Sequence, residues 1–98
     1  MKTSEQPTLQ YFNISGVKHI LPADAFEAIQ NGGAVMIDVR EMYEVQLENI
    51  QHDKVLNHPM SVIIERLPYI AKDQKIIVIC AHGERSAKVA NLLQYQGY

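Results

Sequence analysis

The sequence predicts a single α/β domain built around a mostly parallel β-sheet, and three observations lead to this prediction. The chain has 98 residues, which is the size of one domain. Short apolar runs alternate along it with segments in which apolar residues recur at helical spacing. The two most apolar runs, 34–39 and 75–80, contain few polar residues. Such runs are typical of strands that are covered on both faces, as they are in parallel sheets.

Composition excludes several classes of protein. A single cysteine cannot form an internal disulfide or supply a cysteine-rich zinc site. A net charge of −2 leaves no basic surface for nucleic acid or for an anionic membrane, so we expect neither partner. The polar N-terminus has no signal-peptide core, and the apolar runs are too short to span a bilayer. We therefore expect a cytoplasmic protein and no metal site.

The N-terminal half opens with an extension, residues 1–16, and the domain occupies residues 17–98. Residues 17–20 are predicted to form a short strand. A helix then begins at Pro22, where the missing N–H costs nothing, and ends at the stop signal Asn31-Gly32-Gly33. The apolar run 34–39 follows it as a buried strand with Asp38 near its end.

The remaining elements follow from the same two periodicities. We first predict a short helix over 41–48, with Tyr43 and Leu47 on one face, and a brief strand at 55–56 that Pro59 closes. A helical segment over 60–71 follows, which Pro68 shortens or kinks. The last two elements are a strand over 75–80 and a helix over 85–96, with Val89, Leu92 and Leu93 facing inward.

The loop after the last strand is the place where chemistry is expected, because ligands bind at the carboxyl ends of strands in such sheets. Cys80 ends the strand, and a helix begins five residues later, at Arg85. The N–H groups and the dipole at a helix N-terminus favour a thiolate, which is the nucleophilic form. Gly83 permits a turn with positive φ, and Arg85 adds a fixed positive charge. A cysteine at a strand end is also a common packing residue, so both readings of Cys80 stay open on these residues alone.

Two segments resemble markers of the rhodanese family. The run Cys80-Ala81-His82-Gly83-Glu84-Arg85-Ser86 resembles its active-site loop, Cys-x-x-Gly-x-Arg-Ser. The run Asp38-Val39-Arg40-Glu41 resembles a second marker at the end of an earlier strand, and the two lie about 40 residues apart in the expected order. The resemblance covers residues 17–98. It implies a three-layer fold with helices on both faces of the sheet, and it implies that the chain lacks the last C-terminal segment of the family.

The resemblance also implies sulfurtransferase chemistry. Cys80 would take a sulfane sulfur from a donor as a persulfide and pass it to a thiophilic acceptor. Arg85 would close the loop and orient an anionic donor. The persulfide would lie in a cradle of backbone N–H groups from the loop residues Ala81, His82, Gly83, Glu84 and Ser86. No cofactor is implied beyond the covalent persulfide. The expected partners are small sulfur donors and thiol acceptors, or a sulfur-relay protein.

Two residues of the second marker are assigned supporting roles. Asp38 is expected to accept hydrogen bonds from the Cys80 loop or to pair with a cation. Arg40 is expected to pair with Glu41, with Glu44 or with an anion at the pocket mouth. For both, a structural contact is favoured over direct chemistry. The conformation of residues 48–58 and the oligomeric state are left open.

Three other functions stay open beside the sulfurtransferase. A non-catalytic binding or sulfur-relay module is favoured by the missing segment and by the loop, where Glu84 and Arg85 cancel in charge and Ala81 stands where thiosulfate-using relatives often have arginine. A small phosphatase or arsenate reductase is disfavoured because such enzymes place one more residue between cysteine and arginine than the four found here. A thiol-redox protein is disfavoured because no second cysteine can resolve a disulfide.

Overall fold

A parallel three-stranded sheet forms the middle layer of the fold. The structure, a computed structural model, describes residues 2–7 and 12–98. The strands are β1 (Ala34–Asp38), β2 (Val55–Asn57) and β3 (Lys75–Ile79), in the spatial order β2-β1-β3. β1 pairs with both neighbours in parallel. The central position of β1 explains its continuous apolar run, because it is covered on both faces and both edges.

Helices cover both faces of the sheet. The covering helices are α1 (Pro22–Asn31), α3 (Ile63–Arg66) and α4 (Glu84–Tyr95), and short 3₁₀ turns flank α3 at Met60–Val62 and Leu67–Tyr69. A further short helix, α2 (Met42–Leu47), follows β1. As predicted, Pro68 breaks the helical pattern of residues 60–71, and it lies within the second of these turns. The prediction of an α/β fold with a parallel sheet and helices on both faces is therefore confirmed.

Two apolar cores follow from the alternation of side chains along the strands. Ala34 and Met36 of β1 face α1, whereas Ile37 and the following Val39 face α3 and α4. The α1 core comprises Ala25, Ala28, Ile29, Ala34, Met36 and Ile77. The second core comprises Ile37, Val39, Ile63, Ile70, Val89 and Leu93. The predicted inward positions Val89 and Leu93 are buried, and Leu92 packs against them from the edge of this core.

Two predictions on secondary structure need correction. Residues 17–20 form no strand, because their only pairing among the described residues is an isolated antiparallel bridge between His19 and Ser4. The helix predicted over 41–48 is present as α2, but it buries none of its residues. The side chains of Tyr43 and Leu47 are 68% and 87% exposed, so their shared face is not packed on the sheet.

The described part of the N-terminal extension lies against the domain. Ser4 exchanges two backbone hydrogen bonds with His19, and the Gln94 side chain donates to the Gly16 carbonyl oxygen at 3.3 Å. The Lys88 ammonium lies 5.6 Å from the centre of the Phe12 ring. The boundary at residue 17 stays a prediction. None of the described helices is long and apolar enough to cross a membrane.

Candidate active site

Cys80 lies at the carboxyl end of β3, directly before the loop that leads into α4. Its side chain is half-buried and packs against the second core, which lies between the sheet and the helices α3 and α4. Gly83 is the residue that caps α4, with φ 86° and ψ −15°. An L-residue with a Cβ adopts this backbone region only with strain, so glycine suits the position. The turn folds the chain back, which brings the start of α4 over the sulfur atom.

Backbone N–H groups and a hydroxyl surround the sulfur atom of Cys80. The N–H groups of Gly83 and Ser86 donate to Sγ at 3.0 Å and 3.3 Å. The Ser86 hydroxyl lies 3.4 Å from Sγ and 3.1 Å from the Gly83 carbonyl oxygen. A hydroxyl can rotate, so Ser86 can accept from the thiol while bonded to Gly83, or donate to the thiolate. The site thus provides donors that converge on one anionic atom.

The balance of these contacts favours the thiolate. Burial of Cys80 on its own would raise the pKa of the thiol, because it removes water from the charged form. The hydrogen bonds from Ser86, together with those from the backbone of His82 and Gly83, outweigh burial and hold the pKa of Cys80 below its ordinary value of 9.0. A larger fraction of Cys80 is therefore ready to act as a nucleophile at neutral pH.

Only some of the backbone N–H groups of the loop donate to the sulfur of Cys80. Ala81, His82 and Glu84 are exposed, and Glu84 forms an ion pair with Lys88 at 3.2 Å. A cradle of N–H groups from the whole loop was expected. Within the described chain, however, the N–H groups of Ala81 and Glu84 make no hydrogen bond with the sulfur. The positions of the donors follow from the turn at residue 83, which aims only part of the loop inward.

Arg85 is bound by a carboxylate from another part of the chain. Its two terminal nitrogens donate to the two oxygens of Glu44 in α2, at 2.5 Å and 2.7 Å. Glu44 also accepts the backbone N–H of Glu41 at 3.0 Å, and the Glu41 carboxylate accepts the Ser61 hydroxyl at 2.6 Å. The hydrogen bonds from Arg85, with that from Glu41, lower the pKa of Glu44 to about 2. The start of α4 is thereby fastened to α2 and to the loop after β2.

Sequence reasoning missed this role of Glu44 and assigned it instead as a candidate partner of Arg40. Residues 44 and 85 are 41 positions apart, so no local periodicity connects them. The one available signal was that the carboxyl ends of adjacent parallel strands meet at one edge of the sheet, which places the loops that follow β1 and β3 side by side.

Asp38 and Arg40 form an ion pair of their own at the end of β1. Asp38 is 2% exposed, and its carboxylate accepts three hydrogen bonds from the Arg40 side chain and one from the Arg40 backbone N–H. The Asn57 side chain donates to the carbonyl oxygens of both residues. Of the roles expected for Asp38, the structure therefore has the pairing with a cation. This cluster ties the end of β1 to the end of β2.

A cleft of about 740 Å³ opens beside Cys80 and makes the site accessible. Its lining includes the apolar residues Ile20, Ile77 and Ile79 together with Cys80 and Gly83. Across residues 2–7 and 12–98, no group of three or more histidine, cysteine, aspartate or glutamate side chains is placed to hold a metal ion.

Comparison with known proteins places this geometry in context. The family model for the rhodanese-like domain matches residues 21–98. A relative named thiosulfate sulfurtransferase GlpE, from Glaesserella parasuis, is 32% identical over 80 residues, which cover 81% of this chain and 71% of the relative. A rhodanese-related protein from Thermoplasma volcanium has a similar structure, with a TM-score of 0.66 and 35% identity over 76% of this chain and 71% of its own. An NAD-dependent persulfide reductase from A. fulgidus matches with a TM-score of 0.59 and 29% identity, over 76% of this chain and 15% of its own.

Proposed function

This chain belongs to the rhodanese-like domain family, and from that premise we propose that it is a sulfurtransferase that carries a sulfane sulfur as a persulfide on Cys80. The observation that carries the proposal is the convergence of the Gly83 and Ser86 N–H groups on Sγ at the N-terminus of α4. These donors stabilise negative charge on sulfur, as an oxyanion hole does on oxygen. A thiol packed only among apolar side chains would lack them.

The first half-reaction loads the cysteine. The Cys80 thiolate attacks the sulfane sulfur of the donor, a new S–S bond forms, and the old bond to that sulfur breaks. With thiosulfate as donor, the electron pair of the broken bond leaves with sulfite. The product carries its negative charge on the outer sulfur, one S–S bond away from Sγ, on which the N–H groups of Gly83 and Ser86 converge.

The second half-reaction returns the enzyme to its starting state. A nucleophilic acceptor such as cyanide or a thiolate attacks the outer sulfur, and Cys80 leaves as a thiolate. The groups around Cys80 help this step as well, because a thiol with a lower pKa is a better leaving group. The cycle needs no external oxidant or reductant, since sulfur is exchanged between donor and acceptor.

Arg85 contributes by holding the loop closed. Both ends of its guanidinium are bound to Glu44, so its charge is already matched. The pair leaves the loop with little attraction for a dianion. Relatives are named for thiosulfate, and we propose that this chain accepts thiosulfate or a persulfide as donor.

Intact-mass spectrometry tests the proposal directly, because the chain has only one cysteine. Incubation with thiosulfate, or with a low-molecular-weight persulfide, is expected to add the mass of one sulfur atom, and cyanide is expected to remove it as thiocyanate. Cys80→Ser is the matched control and should gain no mass. Absence of the adduct with both donors, together with hydrolysis of an aryl phosphate, would favour a phosphatase instead.

A further inference from the structure

The side chain of Arg85 brings a positive charge to the loop that holds Cys80. Arg85 comes directly before Ser86, whose N–H lies 3.3 Å from Sγ. The hydrogen bond with Glu44 raises the pKa of Arg85 in spite of burial, and the charge of Cys80 raises it further. The guanidinium thus lies within electrostatic reach of the reacting sulfur, where a fixed cation attracts an anionic donor.

Glu44 removes most of that attraction. Both of its oxygens accept from the guanidinium, at 2.5 Å and 2.7 Å, in the two-pronged geometry that makes arginine–carboxylate pairs strong. The pKa of Glu44, about 2, keeps the carboxylate charged at neutral pH. The side chains of Arg85 and Glu44 are 30% and 21% exposed, so water screens the pair only in part. At the sulfur, the opposite charges of the pair largely cancel.

Two further cations near the loop are paired as well. Lys88, three residues further along α4, lies 3.2 Å from Glu84, and Arg40 lies 2.8 Å from Asp38. The positive potential at the sulfur therefore comes mainly from the backbone N–H groups at the start of α4. A helix N-terminus carries about half a positive charge, which suits the one negative charge on sulfur but not a second charge on the donor.

We propose that Glu44 determines the donor specificity of this site: by pairing with Arg85, it makes the site select sulfane donors with a single negative charge over the dianion thiosulfate. The substrate class is then an organic persulfide or an organic thiosulfonate. This inference rests on the proposed function and deepens it, because it favours the persulfide among the donors proposed above. Glu44 acts on the donor through Arg85, so it is a positioning residue.

The charges that meet at the reacting atoms explain this selection. With every donor, the Cys80 thiolate attacks the sulfane sulfur, a new S–S bond forms, and the old bond breaks with its electron pair on the leaving group. A persulfide releases a thiolate, a thiosulfonate releases a sulfinate, and thiosulfate releases sulfite. With the thiolate included, two negative charges meet for a monoanionic donor and three for thiosulfate. An arginine that is already bound to a carboxylate offsets little of the third charge.

Two donors that differ by one charge test the proposal. Thiosulfate and methanethiosulfonate both carry a sulfane sulfur on a sulfonyl group, but a methyl group replaces one charged oxygen in the second. The rate of sulfur loading on Cys80 is followed by intact mass against the concentration of each donor. The ratio of the two second-order loading constants, thiosulfate over methanethiosulfonate, is then compared between variants. A change in the reactivity of Cys80 or in the folded fraction affects both donors alike and cancels in this ratio.

Variants of the ion pair are expected to move this ratio in opposite directions. Glu44→Gln leaves Arg85 unmatched and should raise the ratio about tenfold at low ionic strength, mainly by lowering the half-saturating concentration of thiosulfate. The rise should shrink as salt is added, because salt screens partly exposed charges. Arg85→Gln leaves Glu44 unmatched and should lower the ratio below that of the wild type. The double variant removes both charges and should return the ratio toward the wild-type value.

Glu41→Gln is the matched control for Glu44→Gln. It makes the same change of charge at the start of α2, but the carboxylate that it removes binds the Ser61 hydroxyl and not Arg85. The control should leave the ratio within about twofold of the wild type. An unchanged ratio in Glu44→Gln, an equal rise in Glu41→Gln, or a rise that persists in the double variant would overturn the proposal.

A second assay separates failure of this inference from failure of the proposed function. Sulfate and methanesulfonate are unreactive anions that differ by the same single charge, and their protection of Cys80 from iodoacetamide requires no persulfide. The protective concentration of sulfate, relative to that of methanesulfonate, is expected to fall about tenfold in Glu44→Gln. This result without any sulfur adduct on Cys80 would refute the proposed function alone. Sulfur adducts that form while the relative protection stays unchanged would refute the role of Glu44 alone.

Discussion

Replacing Gly83 with alanine tests whether the turn at the start of α4 is what delivers donors to the sulfur. Gly83 has φ 86° and ψ −15°, and its N–H lies 3.0 Å from Sγ. Alanine at a positive φ costs about 1–2 kcal/mol relative to the right-handed conformation. The variant either keeps the turn and loses that stability, or relaxes to negative φ and withdraws the N–H from Cys80.

The chain supplies a matched control for the backbone strain. Gly16 has φ 89°, and a Cβ built there meets no atom within 4 Å. Gly16→Ala should therefore cost about the same 1–2 kcal/mol without touching the sulfur. For a domain of this size, each kcal/mol corresponds to a fall in Tm of about 4–8 °C. Gly83→Asn is a second control, because asparagine tolerates this region better than alanine does.

Two measurements separate the possible outcomes. Urea unfolding reports the change in the free energy of unfolding, and the pH dependence of alkylation reports the pKa of Cys80, the only thiol. We expect Gly83→Ala to lose stability, to raise the pKa of Cys80, or to do both, whereas Gly16→Ala loses stability only. If Gly83→Ala kept the stability and the alkylation midpoint of the wild type, the positive φ would not be what shapes the site, and the reasoning would be wrong.

Three further predictions concern the groups that support the site. Glu44→Gln should remove a pH-dependent part of the free energy of unfolding. The folded-state pKa of Glu44, about 2, lies below the ordinary 4.5, so the carboxylate contributes fully above pH 4.5 and its contribution is lost as the pH falls toward 2. Urea unfolding of both proteins across that pH range measures the difference. Ser86→Ala should raise the alkylation midpoint of Cys80, because it removes the hydroxyl that can donate to the thiolate, whereas Ser86→Thr should leave it near the wild-type value. Asp38→Asn should destabilise the fold by about 3 kcal/mol, because Arg40, whose side chain is 11% exposed, loses the carboxylate to which it is hydrogen-bonded. Adding Arg40→Met to that variant should recover part of the loss in the same unfolding assay.

The elements predicted correctly from the sequence are those with a strong local signal. Pro22 and the Asn31–Gly33 stop bracket α1 to the residue at its N-terminus and within two residues at its C-terminus. The apolar run 34–39 identified β1 because burial on both faces leaves no polar alternation. Cys80 and Gly83 were singled out as a turn able to hold an anion, and the structure has donors from this turn at the sulfur.

The features that were missed depend on contacts between distant parts of the chain. The pairing of Arg85 with Glu44 crosses 41 positions, and nothing in the sequence around Arg85 indicates which distant carboxylate it will reach. The run 17–20 has strand-like composition, but a strand also requires a neighbour, and only Ser4 supplies one within the described chain. The exposure of Leu47 shows the same limit, because helical spacing defines a face and not what covers it.

The central position of β1 has a consequence for how the domain acquires its site. No two strands of the sheet are joined by a hairpin, so β1 must meet β2 and then β3 across connections that contain whole helices. Each closure requires loop entropy to be lost before the pairing compensates for it, and such topologies fold more slowly than chains rich in local contacts. The fastening of Arg85 to Glu44 spans the longer of these closures, so during refolding the low thiol pKa should emerge with the final cooperative phase. Rapid pulses of alkylating reagent would then mark the arrival of the native state, in the same way as a fluorescent core residue does in other domains.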